Sequence, residues 1–218
     1  MFIDIEGTDG SGKKTQALLL KEDLEEAGYK VLLLSFPNHG SKSCALVKMY
    51  LEGELGDNES LDAYQTSSLY AVDRMITFKL NDVNKYDFVL LDRYTPSNMI
   101  HQSTKCTDEE LDEFLDWVAD FEYNKMNLPV PDVTIFLDMP VEKSLELIEK
   151  RANNKHGGKD ILENEQHLRN AYARAKYVAN KYNWVHISCV ENGEIKSMGE
   201  IHDEILKKLN LNVCSFSK

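Results

Sequence analysis

The chain has 218 residues, 42% of them hydrophobic, and carries 25 lysines and arginines against 37 aspartates and glutamates, a formal net charge of −12. That length suits one well-buried domain with room for a small mobile insertion, and the acidic balance repels a nucleic-acid backbone, so long DNA or RNA is excluded as a partner. No apolar run approaches the ~20 residues that span a bilayer, the start lacks a signal-peptide head, and the four cysteines (Cys44, Cys106, Cys189, Cys214) have no paired spacing, so a cytoplasmic protein without membrane or redox role is expected.

In chain order, residues 1–6 form a short apolar run that predicts a strand, followed at once by GTDGSGK. Residues 13–27 place Ala17, Leu20, Leu24 and Ala27 on one stripe at helical spacing, with Gly28 as the stop. Apolar runs at 30–36, 88–92, 133–138 and 184–190 predict four more strands. They are near-continuous rather than alternating, as suits strands covered on both faces. Between them, 42–53, 61–80, 108–127, 141–151, 163–182 and 198–209 have helical period. Strands alternating with helices predict a five-stranded parallel sheet of the P-loop NTPase type, helix-covered on both faces, in a single domain spanning 1–218. Ligands of such sheets sit beyond the carboxyl ends of the strands. Residues 153–160, NNKHGGKD, break the helical pattern and gather Arg151, Lys155 and Lys159 in an acidic chain. A flexible flap is predicted there, with a plain surface loop as the alternative.

Gly7-Thr8-Asp9-Gly10-Ser11-Gly12-Lys13 matches the G-x-x-x-x-G-K phosphate loop in its strand–loop–helix setting. The glycines let the backbone turn so that several N–H groups face one phosphate chain. The helix N-terminus adds partial positive charge, and Lys13 reaches the β- and γ-phosphates. The next position departs from the pattern: Lys14 stands where a serine or threonine would ligate Mg²⁺, with Thr15 after it. A protonated lysine has no lone pair to offer, so Thr15, water or carboxylates must serve. Asp92-Arg93-Tyr94 ends the third run. Asp92 there suits an outer-sphere Mg²⁺ partner and Arg93 a phosphoryl clamp; a structural ion pair is the alternative.

Together these residues resemble the thymidylate kinase family, over nearly the whole chain. The resemblance rests on GTDGSGKKTQ (7–16), Phe36-Pro37, LYAVDR (69–74), Asp92-Arg93-Tyr94 with Ser97 and Gln102, Phe136-Leu137-Asp138, Lys150-Arg151, and Asp160 with Glu163. It implies ATP as donor, thymidine monophosphate (dTMP) as acceptor, Mg²⁺ and a homodimer. It also implies that Asp9 contacts the acceptor sugar, that Phe36 and Leu51 line the nucleoside pocket, and that Tyr70 stacks on the pyrimidine. Arg74, one turn later, would reach the exocyclic oxygen of the base, with Ser97 and Gln102 near it. Arg93 would hold the acceptor phosphate, and Arg151 would stack on adenine ahead of a lid over about 151–163. Members with glycine at the place of Gly10 usually carry their catalytic cation in that lid, which points to Lys155 or Lys159; Glu163 would sit near the acceptor sugar or the lid hinge.

Two positions depart from the family. His39 replaces the arginine of an FPxR pattern, and a neutral imidazole grips phosphate more weakly. His101 stands where an aromatic ring packs against the deoxyribose, so looser discrimination against a 2′-hydroxyl is expected. The chemistry implied is in-line phosphoryl transfer without a general base, with Lys13, Arg93, Mg²⁺ and a lid cation spreading charge. Alternatives are a kinase for another nucleoside monophosphate or a nucleoside, and a non-catalytic ATP-binding module, which Lys14 and His39 would favour.

Overall fold

The structure, a computed structural model, describes residues 1–57, 59–154 and 165–211, the last four before 155 by backbone alone. Five parallel strands form the central sheet: β1 (Phe2–Glu6), β2 (Val31–Ser35), β3 (Phe88–Asp92), β4 (Val133–Asp138) and β5 (Val185–Ser188), in the spatial order β2-β3-β1-β4-β5. The register pairs Ile3 with Leu90 on one side of β1 and with Val133 on the other. From β1 the chain goes to β2 at one edge, returns as β3 between them, and then crosses to β4 and β5 on the other side of β1. Loops leaving the carboxyl ends of β1, β3 and β4 therefore part around a crevice, the usual ligand position in such a sheet.

Helices bury both faces, which explains why the strands are apolar without alternation. On one face Ile3 and Ile5 pack with Leu90, Ile135 and Leu137 against α1 (Lys13–Glu26) and α8 (Met198–Leu209), through Leu20, Leu24 and Ile205. On the other, Leu34, Val89, Leu91 and Tyr94 pack with Phe36 and Leu128. That face also carries α3 (Ala63–Leu80), α4 (Thr95–His101), α5 (Leu111–Ala119) and α7 (Glu165–Lys181). Asp62 starts α3 by accepting from the Gln65 backbone amide at 2.7 Å while the Gln65 side chain returns a bond to it. That capping box places the helix start two residues after the predicted one.

Several predicted elements are subdivided. Residues 42–53 form a 3₁₀ turn (Lys42–Cys44) and the short α2 (Ala45–Leu51). The 108–127 segment is α5 followed by a π-helical turn at Asp120–Lys125. The run at 184–190 ends as a strand at Ser188, and a hairpin of β6 (Val190–Glu191) and β7 (Glu194–Ile195) follows. Asn192 and Gly193 turn it with φ of 52° and 84°, the left-handed pair that a two-residue hairpin loop requires. The helix α6 (Val141–Asn154) runs three residues beyond its predicted end. Among the described residues no helix is long and apolar enough to cross a membrane.

Candidate active site

The loop after β1 turns with positive φ at Gly7, Gly10 and Gly12. Gly10 admits nothing larger than hydrogen: a Cβ there would lie 2.8 Å from the Ser144 carbonyl oxygen of α6. Lys13 opens α1 and folds over the loop, its Nζ donating to the carbonyls of Gly7 at 2.8 Å and Thr8 at 2.7 Å. Burial, then the nearby Arg93 cation, lowers its ammonium to a pKa of about 8, against which Asp9, Glu6 and Asp92 act as counter-charges. The Thr8 and Ser11 hydroxyls are buried with no partner among the described residues. Orphaned hydroxyls in a loop of turned amides beside a lysine fit a phosphate chain, which would supply the missing partners.

Lys14 is exposed and Thr15 half-buried on the first turn of α1. Asp92 sits at the tip of β3 and accepts from Ser35 Oγ at 3.3 Å. Among the described residues no group of three His, Cys, Asp or Glu is arranged to hold a metal. Mg²⁺ next to a nucleotide takes one or two protein oxygens and fills the rest of its octahedron with phosphate and water. Asp92 is an oxygen donor of the right kind at the end of β3.

Beyond the loop lies a cavity of about 180 Å³, lined by Asp9, Phe36, Pro37, His39, Leu51, Tyr70, Arg74, Arg93, Ser97, Asn98, His101 and Gln102. The structure thus brings together every acceptor-side residue expected from the sequence except Glu163. Arg93 joins loop and cavity. Its Nη2 donates to Asp9 and its Nη1 meets His101 Nε2 at 2.9 Å. An arginine can only donate, so that ring nitrogen is unprotonated. Burial, with the Arg93 cation alongside, holds His101 well below its ordinary pKa and therefore neutral. For Asp9, burial would raise the carboxyl, but Arg93 and Lys13 outweigh it and keep it ionised far below the usual carboxylate range. Arg93 has φ of 66°, a left-handed backbone that costs a non-glycine residue of order 1–3 kcal/mol. The ion pair and the Arg93 amide bond to the Ile5 carbonyl (3.3 Å) accompany that conformation.

Two expected base contacts have additional partners. Ser97 donates its hydroxyl to the Glu6 carboxylate at 2.8 Å, so what remains for a ligand is its oxygen as acceptor. Arg74 is buried and gives Nε and Nη2 to Glu122 at 2.7 and 2.6 Å and Nη1 to the Tyr94 carbonyl at 3.2 Å. Its guanidinium still lines the cavity, with two of its five N–H bonds left over. Arg151 (its side chain), Lys155, Lys159 and Glu163, and with them the predicted flap and lid, lie outside the described residues.

Sequence reading missed three contributors. Asn98 lines the cavity one residue after Ser97, and helical phase from Tyr94 to Gln102 could have found it. Glu6 is buried in β1 and accepts from the Tyr94 amide at 2.8 Å, a charged residue inside an apolar run that could have been flagged. Glu122 gave no signal, being one acid among many on an acidic helix.

The chain is similar to known proteins over most of its length. The thymidylate kinase family model matches residues 5–205. A thymidylate kinase of Mycobacterium tuberculosis is 32% identical over 172 residues, 77% of this chain and 80% of that protein. A probable thymidylate kinase of Methanococcus aeolicus is 32% identical over 215 residues, 95% of each. In fold, the solved thymidylate kinase from Candida albicans superposes with a TM-score of 0.70 at 23% identity, covering 97% of this chain and 91% of that one. Since the match runs from the end of β1 into α8, through every element that shapes the cavity, the chain belongs to the thymidylate kinase family.

Proposed function

We propose that the protein transfers the γ-phosphoryl of ATP to the 5′-phosphate of dTMP, forming dTDP and ADP. The observation that carries the reading is the junction through Arg93. One guanidinium touches the phosphate loop at Asp9 and lines a cavity that holds an aromatic ring, Tyr70, beside a donor and an acceptor. The donor is Arg74. The acceptor is Asn98 Oδ1, because both hydrogens of its amide are taken, by the Ser67 carbonyl at 3.1 Å and by Glu122 at 2.8 Å. A carbonyl next to an N–H is the edge of a 4-oxo pyrimidine. Cytosine presents the reverse polarity at the same two atoms.

In the transfer, the bond from the γ-phosphorus to the β–γ bridging oxygen breaks as an acceptor phosphate oxygen bonds to that phosphorus. The acceptor oxygen is already ionised at neutral pH, so positioning and charge neutralisation carry the rate. Lys13 and the loop amides would hold the donor phosphates, and Arg93 the acceptor phosphate in line with them. Mg²⁺, when bound, supplies charge neutralisation across the donor phosphates, and Asp92, with Thr15 or water, would face it. A lid cation from Lys155 or Lys159, a homodimer and a cytoplasmic setting belong to the same reading and are supported by family membership.

A coupled ADP-release assay across the nucleoside monophosphates tests it. dTMP should drive the fastest ADP release, and Lys13→Ala should lower turnover by orders of magnitude with the fold intact. ATP binding with no acceptor-dependent ADP would leave only a nucleotide-binding module.

A further inference from the structure

Glu122 is fully buried on the π turn Asp120–Lys125. Such turns widen a helix by one residue per turn and recur where a side chain must be aimed out of the regular helical phase. Here the turn sends a carboxylate inward, where it collects four hydrogen bonds. Arg74 supplies two, Thr95 Oγ1 one at 2.9 Å and Asn98 Nδ2 one at 2.8 Å.

A counter-ion for Arg74 would need only the first pair. The bond to Asn98 does something else. An amide can flip end for end, and its two faces present opposite polarity to a ligand. With Ser67 carbonyl and Glu122 carboxylate both acceptors, only the NH₂ group can face them, and Oδ1 is left for the cavity that Asn98 lines. The same carboxylate fixes the plane of the Arg74 guanidinium by a two-point contact. One buried group therefore sets both the donor and the acceptor of the base-reading edge.

We infer that Glu122 is a positioning residue that sets the hydrogen-bond polarity by which the cavity distinguishes a 4-oxo from a 4-amino pyrimidine, through Arg74 and Asn98 and without touching the base. The inference rests on the dTMP kinase reading above.

The test is Glu122→Gln, which keeps shape but turns one acceptor into a donor, so that either Asn98 is held by the Ser67 carbonyl alone or Arg74 loses one of its two contacts. Expected are a rise of about tenfold in the KM for dTMP, kcat and the KM for ATP within about threefold of wild type, and a dTMP-to-dCMP preference in kcat/KM narrowed by about tenfold or more. A merely structural role would lower all parameters for both acceptors together. That result, or an unchanged acceptor KM and base ranking, overturns the inference. Should the variant fail to fold, side-chain NMR of the wild type decides. The Asn98 amide and the Arg74 Nε–H should be single, exchange-protected signals before dTMP is added; signals that sharpen only with dTMP mean that the ligand, not Glu122, does the ordering. Wild-type enzyme without dTMP-dependent ADP release would instead remove the functional reading itself, and this inference with it.

Discussion

Replacing Arg93 with lysine isolates geometry from charge at the junction of the two substrates. The guanidinium has five N–H donors, of which Asp9 and His101 take one each, leaving three for the acceptor phosphate. A lysine ammonium has three donors, and the same two partners would leave one. Two charge-assisted hydrogen bonds, at about 1.5–3 kcal/mol each, are thus withdrawn from a phosphate that water can only partly compensate. A net loss of about 3–4 kcal/mol corresponds to roughly 10²–10³-fold in kcat/KM for dTMP, at 1.36 kcal/mol per decade. Because lysine meets the same left-handed backbone cost at φ 66°, the melting temperature should stay within a few degrees, so the kinetic loss is not an unfolding artefact. The assay is steady-state ADP release with dTMP and ATP varied in turn; the KM for ATP should move by less than about threefold. A kcat/KM for dTMP within threefold of wild type would refute the assignment of Arg93 to the acceptor phosphate, and a loss confined to ATP would move it to the donor side.

Three further outcomes follow from buried charges. Lys13 has a pKa lowered to about 8 by burial and by Arg93, and a bound triphosphate would restore its proton. ATP binding at pH 8 should therefore take up roughly half a proton, fading towards pH 6; calorimetry in buffers of different ionisation enthalpy reads this, and no uptake at pH 8 contradicts it. Asp4, buried in β1 with neither oxygen partnered among the described residues, has its pKa raised well above 3.8 by burial and then by Glu6. Its stabilising neutral form is complete below 3.8 and lost as pH rises through the folded value. Asp4→Asn should thus gain melting temperature over wild type increasingly as pH climbs from 4; a gap that shrinks with pH would be the wrong sign. Arg74→Met leaves the Glu122 charge buried and uncompensated, a cost of about 3–5 kcal/mol, so thermal unfolding should begin about 10 °C lower; an unshifted melt would show that Glu122 finds another partner.

The strands and the phosphate loop were legible because each depends on local chemistry. Apolar runs at 88–92 and 133–138 coincide with β3 and β4, since a strand buried on both faces leaves no polar position to blur its edges. The acceptor cavity was legible only through resemblance, because His39, Tyr70 and Gln102 come from three elements that nothing local relates. Least legible was the Glu122 network. Helical period predicts where an acid would sit on a regular helix, and the π turn breaks that phase at the one acid that goes inside. Asn192-Gly193 was the opposite case, a turn signal visible in the sequence just beyond the predicted run at 184–190 that the reading left unused.

Gly10 has a bearing on how any phosphoryl charge can be met. With the Ser144 carbonyl 2.8 Å from where its Cβ would stand and Ile148 at 3.2 Å, the loop is wedged against α6, and no cationic side chain can be grafted onto that corner without prying strand crossover and helix apart. An engineer seeking to relocate positive charge into the loop would meet backbone, not solvent. The contact falls on the first two turns of α6 (Val141–Asn154), so any shift of the loop at Gly10 would have to carry the start of that helix with it.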